Sequence, residues 1–102
     1  MSVIAVATAF PVPEHRVEVI AAVEAAIARV HDEPGVELYA LHEGRDRLVM
    51  IEKYESEEAL SEHLEGAALA DLLSALEGKL SSDLDVQVLV PRPAGNAQRG
   101  TL

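Results

Sequence analysis

The 102-residue chain has no cysteine and no tryptophan, and it has few positive charges. Without cysteine it cannot form disulfides, thiolate nucleophiles, iron–sulfur clusters or zinc–thiolate sites. Eight basic residues stand against eighteen acidic ones, which gives a net charge of −10. A surface of that sign repels phosphate groups, so we expect neither nucleic acid nor an anionic membrane as a partner.

Several familiar sequence signals are also missing. No apolar run approaches the roughly 20 residues of a membrane span, and the N-terminus Met1-Ser-Val-Ile has no basic stretch, so we expect a cytoplasmic protein. The chain has no glycine-rich phosphate loop, no GxGxxG and no Gly-x-Ser-x-Gly. Flavin, nicotinamide and serine-hydrolase chemistry therefore have no support in the sequence, and we expect no bound cofactor.

What is present is an alternation of strand and helix patterns in one domain over residues 1–91, followed by a tail over 92–102 that has no periodicity. The patterns predict strands over 3–10, 36–43, 48–55 and 85–90, and helices over 14–31, 56–65 and 67–76. The order β-α-β-β-α(α)-β predicts an α+β fold of the ferredoxin-like type, with helices on one face of an antiparallel sheet.

Two of the predicted strands, 3–10 and 48–55, are apolar on both faces. Helices can cover only one face of such a sheet, and 49% of the residues are hydrophobic, which is more than one small core easily hides. We therefore expect the second face to pair with the same face of another copy, giving a homodimer that can assemble further.

The stretch that joins the third strand to the second helix carries polar groups where apolar ones are expected, namely Glu52, Tyr54 and His63. A buried carboxylate must be paired or have a raised pKa, and a histidine between core leucines can move protons near neutral pH. Each residue also has a structural interpretation: Glu52 and His63 as partners of backbone groups, and Tyr54 as a core residue with a bonded hydroxyl. The sequence leaves both interpretations open.

The same stretch carries a resemblance to a known family. Ile51-Glu-Lys-Tyr-Glu-Ser56 with His63-Leu64 resembles the strand-to-helix signature of the antibiotic biosynthesis monooxygenase family, and Glu33-Pro-Gly-Val-Glu-Leu-Tyr-Ala-Leu41 resembles its second strand. The similarity extends over about residues 3–91. The chain departs from the family at Tyr54, where tryptophan is usual.

The resemblance implies a dimeric α+β barrel with a pocket in each protomer. It also implies cofactor-independent oxidation of an electron-rich aromatic, a quinol or a polyketide phenol, with O2 as co-substrate. In that chemistry Phe10 and Tyr54 are walls that face the substrate ring, Glu52 or His63 is the base, and His42 or Tyr39 holds a substrate oxygen. Two alternatives stay open: a hydroxyketone isomerase of the same fold, and a non-catalytic dimeric barrel with a binding or stress role.

Tyr39 and His42 lie on opposite faces of the second strand, so only one of them can share a face with Glu52. A hairpin loop symmetrical about Arg45 places His42 there. His42, Glu52 and His63 are the donor types of a two-histidine, one-carboxylate metal site, but no short spacing supports one, and we expect no metal. Haem-degrading relatives of the family resemble a pattern with an asparagine on the first strand and a tryptophan in the core. The first strand here has no asparagine and the chain has no tryptophan, so the resemblance implies no haem.

Overall fold

A computed structural model describes residues 1–102. It contains four strands, β1 (Val3–Ala9), β2 (Val36–Glu43), β3 (Leu48–Tyr54) and β4 (Asp85–Leu89). It contains three α-helices, α1 (Arg16–Val30), α2 (Glu57–Leu64) and α3 (Ala67–Leu76), and a short 3-10 helix (Pro13–His15) precedes α1. These elements agree with the sequence prediction, with differences of one or two residues at their ends.

The four strands form one antiparallel sheet in the order β2-β3-β1-β4. The helices cover one face, which we call the cavity face, and the opposite face is called the outer face. The predicted α+β ferredoxin-like fold is therefore confirmed. The main core lies between the cavity face and helices α1 and α3, where buried side chains of both layers meet, including Val19, Val23, Val30, Leu48, Met50, Leu72 and Leu76.

The end of β3 and the start of α2 are fixed by local chemistry. Ser56 is the N-cap of α2, and its hydroxyl accepts a hydrogen bond from the backbone N–H of Ala59 at 3.1 Å. The backbone N–H of Glu55 donates to the carbonyl of Gly35 at 2.8 Å, which ties the β3–α2 junction to the turn before β2. The polar residues predicted around this junction are thereby held in fixed positions.

The β2–β3 hairpin has a different register from the predicted one. Glu43 pairs with Leu48, so the loop has four residues, 44–47, and it is closed by a hydrogen bond from the Gly44 N–H to the Arg47 carbonyl at 2.8 Å. A loop with an even number of residues places odd positions opposite even ones, so Tyr39 pairs with Glu52. The prediction that His42 shares a face with Glu52 is wrong.

The outer face carries no helix and is apolar along the middle of β1 and β3, with Thr8, His42, Lys53 and Gln87 among its polar residues. It is formed by alternate residues of all four strands, among them Ile4, Val6, Ala40, Val49 and Ile51. Residues 91–102 contain no helix or strand, but the Leu102 carbonyl accepts a hydrogen bond from Nζ of Lys53, which is also on this face.

None of the helices is long and apolar enough to cross a membrane.

Candidate active site

A cavity of about 260 Å³ lies between the cavity face and the helices. Small alanines of β1, Ala5, Ala7 and Ala9, form part of its floor and leave the space that larger side chains would fill. Leucines of α2 and α3 form its roof. Four apolar lining residues are still 45–55% exposed and mark the mouth of the cavity: Leu64, Leu73, Val86 and Val88.

Only three residues put polar atoms into this apolar lining: Tyr39, Glu52 and His63. They come from three different elements, β2, β3 and α2. The ring of Tyr39 meets the ring of His63 edge-on, with 5.3 Å between the ring centroids. An apolar cavity with a few convergent polar groups is the usual form of a small-molecule site, so this is the candidate active site.

The two tyrosines of the chain differ in what their hydroxyls bind. Tyr54 is fully buried, and its hydroxyl donates a hydrogen bond to Oε1 of Glu52 at 2.5 Å. Tyr39 is 5% exposed, and its hydroxyl has no hydrogen-bond partner within the protein. Tyr54 therefore holds the carboxylate from behind, whereas the Tyr39 hydroxyl is free to bind a ligand.

Burial controls the ionisation of the groups in the site. Loss of solvent raises the pKa of Glu52 above the ordinary carboxyl value, against the opposing effects of the Tyr54 hydrogen bond and the charge of His63. Burial also raises the pKa of Tyr39, and the nearby carboxylates of Glu52 and Glu33 raise it further. Tyr39 therefore stays protonated at ordinary pH and acts as a hydrogen-bond donor.

His63 is 3% exposed and bonds to a carboxylate that the sequence analysis did not select. Its Nδ1 lies 2.8 Å from Oε1 of Glu33. Glu33 stands in the turn after α1, thirty residues earlier in the chain, and the sequence analysis named it only as the start of the stretch that resembles the family's second strand. A turn carboxylate next to Pro34 and Gly35 gives no sign of a partner so far away, and only the fold brings the two side chains together.

The structure separates the predicted site residues into two groups. Glu52, His63 and Tyr39 line the cavity, whereas Tyr54, a predicted ring wall, lies behind Glu52 and outside the lining. Phe10, the other predicted wall, is at the far end of the sheet, where the guanidinium of Arg47 lies 4.7 Å from its ring centroid. The aromatic wall of the cavity is Tyr39.

His42 lies outside the site. It is exposed on the outer face, opposite Val49, and so it does not meet Glu52 or His63. The weakly supported metal set of His42, Glu52 and His63 is therefore not assembled, and the chain has no other cluster of three histidine or acidic side chains with metal-binding geometry.

The comparisons with known proteins agree with this architecture. Residues 2–75 match the model of the antibiotic biosynthesis monooxygenase family, which is more than two thirds of the chain. The chain belongs to the antibiotic biosynthesis monooxygenase family. No curated protein matches the sequence.

Solved structures show how widely this antibiotic biosynthesis monooxygenase fold is shared. Rv0793 from Mycobacterium tuberculosis is 28% identical, with a TM-score of 0.87 over 94% of this chain and 100% of its own. PA3566 from Pseudomonas aeruginosa is 24% identical, with a TM-score of 0.81 over 91% and 95% of the two chains. A Caulobacter crescentus protein that carries the family name is 22% identical, with a TM-score of 0.81 over 86% and 87%.

Proposed function

We propose that the protein is a monooxygenase that oxidises a small, electron-rich phenol with O2 and without a resident cofactor. The observation that carries this proposal is the apolar cavity whose polar lining consists of Tyr39, Glu52 and His63. Such a cavity excludes water from a reactive intermediate, holds an aromatic ring by its apolar walls, and offers groups that move protons at one substituent.

The size of the cavity limits the substrate. An engineered cavity of about 150 Å³ in another protein holds benzene. The 260 Å³ here suits one substituted ring or two fused rings, and a larger ring system would project through the apolar mouth. A quinol or a two-ring phenol fits this proposal better than a fully enclosed polyketide of four rings.

The reaction balances without a further reductant. A phenol with a free ring C–H reacts with one O2 to give a quinone and one water. The phenolate reduces O2 by one electron, the radical pair forms a C–O bond at the ring, and the O–O bond then breaks. One oxygen atom stays on the ring and the other leaves as water, whose two hydrogens come from the phenolic O–H and the ring C–H.

The site suggests a role for each polar group. His63 takes the phenolic proton, because its partner Glu33 stabilises the imidazolium that forms. Glu52, whose pKa is raised by burial, is suited to give a proton to the departing oxygen. Tyr39 donates a hydrogen bond to the substrate oxygen, since its hydroxyl is otherwise unbonded.

The test is oxygen consumption by metal-free protein with one-, two- and three-ring phenols and quinols, corrected for autoxidation. We expect saturable consumption that favours the smaller rings, and a loss of at least about 100-fold in kcat in Glu52→Gln and in His63→Asn. His15→Asn, a histidine change at a half-exposed site outside the cavity, should leave the rate unchanged. Equal rates in wild type and both site variants would refute the proposal.

A hydroxyketone isomerase is the second candidate. The observation that favours it is the pairing of a carboxyl group of raised pKa with a free phenol donor, since these are acid–base groups that need no oxidant. The same assay without O2 distinguishes the two reactions, because an isomerase turns over a small hydroxyketone anaerobically. The cavity also suits the third alternative, a non-catalytic barrel with a binding role, which would show turnover in neither assay.

We also propose that the protein is a homodimer that forms through the outer face. Its strands place Val6, Val49 and Ile51, which are half-buried in the single chain, on a face that no helix covers. Burial of such a face is worth about 25 cal/mol per Å² of apolar area, which favours pairing with a second copy.

A further inference from the structure

His63 forms a thin wall between two separate spaces. One edge of this side chain belongs to the lining of the apolar cavity. The same residue also lines a polar surface cleft, which we define by Arg29, Glu33, Glu62, His63 and Gly66. The side chain is 3% exposed, so it closes the passage between them. A proton on the imidazole is thus adjacent both to the cavity and to the surface.

Glu33 stands on the surface side of this wall in a fixed position. Its backbone N–H donates to the Val30 carbonyl at 2.9 Å, and its carbonyl accepts from the Val36 N–H at 3.4 Å. Its side chain is 22% exposed, so the carboxylate contacts His63 and also solvent in the cleft. The nearby Arg29 is engaged elsewhere, in an ion pair with Asp71 at 2.7 Å.

We propose that Glu33 is a positioning residue that sets the tautomer of His63 and connects the buried site to the surface for protons. A carboxylate only accepts hydrogen bonds, so it requires the proton of a neutral imidazole on Nδ1. Nε2, on the opposite edge of the ring, is then left as the acceptor. This inference rests on the proposed function, in which that acceptor receives the phenolic proton.

Among the groups around His63, Glu33 is the one through which a proton of the imidazole can reach solvent. The rings of Tyr39 and Tyr54 pack against the imidazole at centroid distances of 5.3 and 5.4 Å, and Glu52 lies on the cavity side. A phenol that fills the cavity blocks the apolar mouth. After the imidazole accepts a proton on Nε2, its Nδ1 proton can pass by way of the Glu33 carboxylate to the solvent in the cleft. Nδ1 regains a proton from that solvent when Nε2 gives its proton up in the cavity.

The first test measures the tautomer directly and needs no substrate. Histidine labelled with ¹⁵N reports by NMR which ring nitrogen carries the proton. In the wild type we expect His63 in the Nδ1–H form. In Glu33→Gln the amide can donate as well as accept, so we expect a mixture of both tautomers. Glu62→Gln, a change in the same cleft at a side chain that does not bond His63, should keep the wild-type form.

The second test uses turnover of a phenol that the wild type oxidises. Glu33→Gln should lower kcat by about tenfold or more with KM nearly unchanged, because Glu33 touches no substrate, whereas Glu62→Gln should match the wild type. A pure Nδ1–H tautomer in Glu33→Gln would overturn the proposal, and so would unaltered kcat in a variant whose tautomer has shifted. If the wild type oxidises no phenol, the NMR result still decides the tautomer claim, and the failure belongs to the proposed function.

Discussion

At the scale of single residues, the two tyrosines show how the same side chain serves different purposes. The Tyr54 hydroxyl donates its hydrogen bond to Glu52, whereas the Tyr39 hydroxyl makes no hydrogen bond within the protein and can bind a ligand. Sequence reasoning selected both residues and could not separate these roles. The difference depends on which strand positions face each other across the hairpin, and that is a long-range property.

The first prediction concerns the hydrogen bond behind the site. Tyr54→Phe removes the only bond that the protein makes to the buried Glu52 carboxylate, and we expect a loss of ~1–3 kcal/mol in the free energy of unfolding. Tyr39→Phe is the matched control, because it removes a hydroxyl without a protein partner and should cost far less. Urea denaturation at pH 7 measures both. Equal losses would contradict the distinction between the two hydroxyls.

The second prediction follows from the raised pKa of Glu52. Above the ordinary carboxyl value of about 4.5, the unfolded chain has released this proton while the native protein still holds it. Stability therefore falls as pH rises through this window. Glutamine does not titrate, so the Tm of Glu52→Gln relative to wild type should increase from pH 4 to pH 7.

Thermal unfolding at several pH values makes this measurement. Glu62→Gln serves as the control, because it removes an exposed carboxylate from α2 and leaves the cavity unchanged. A Tm difference between Glu52→Gln and wild type that is flat, or that shrinks with pH, would mean that burial does not raise the pKa of Glu52.

The sequence analysis found Glu52 and His63 because polar residues in an apolar pattern are visible locally. It missed Glu33, since that carboxylate lies in an ordinary polar turn and meets His63 only through the fold. It placed Phe10 in the site only through the chemistry that the family resemblance implies. The alternation of β1 instead puts Phe10 on the same face as Ile4 and Val6, away from the cavity.

At the scale of elements, the strands and helices could be predicted because each carries its own period and its own stop signals. Ser56, the first residue of the predicted helix 56–65, is the N-cap of α2. The hairpin register could not be predicted, because a four-residue loop and a three-residue loop contain the same polar residue types. The loop sequence Gly44-Arg-Asp-Arg47 does not indicate which residues of β2 and β3 lie opposite each other.

The third prediction concerns the turn that carries Glu33. Gly35 has φ of +82°, and an added Cβ would lie 2.5 Å from the Cβ of Ala59. We expect Gly35→Ala to reduce the free energy of unfolding by ~2 kcal/mol or more, because strain in the backbone and the collision add together.

Gly78→Ala is the matched control for that change. Its φ is +75°, but nothing lies within 4 Å of an added Cβ, so it has the backbone cost alone. Urea denaturation should rank Gly35→Ala as clearly the more destabilising of the two. If the two variants lose the same stability, the close approach of Gly35 to α2 is not important for folding.

At the scale of the whole molecule, the fourth prediction tests whether the outer face mediates association. Ile51→Asp places a charge at the centre of that face, where pairing with a second copy would bury it without a partner. We expect a folded monomer by size-exclusion chromatography with light scattering, against a dimer for wild type.

Val17→Asp is the control for this experiment, because Val17 is 81% exposed on α1, on the helix side of the molecule. It adds the same charge and should remain a dimer. A dimeric Ile51→Asp variant, or a monomeric wild type, would show that the outer face does not mediate association.

The four-residue hairpin loop has a consequence for how such a protein diverges. Deleting or inserting one codon between Gly44 and Arg47, with β3 held in place by its neighbours, turns every side chain of β2 to the opposite face. Ala40 or Leu38 would then stand opposite Glu52 in place of Tyr39, and the His42 side chain would turn to the cavity face, without a substitution in either strand. The length of this loop therefore determines which β2 side chains line the cavity, so a mutation in the loop can change the cavity chemistry without changing any strand residue.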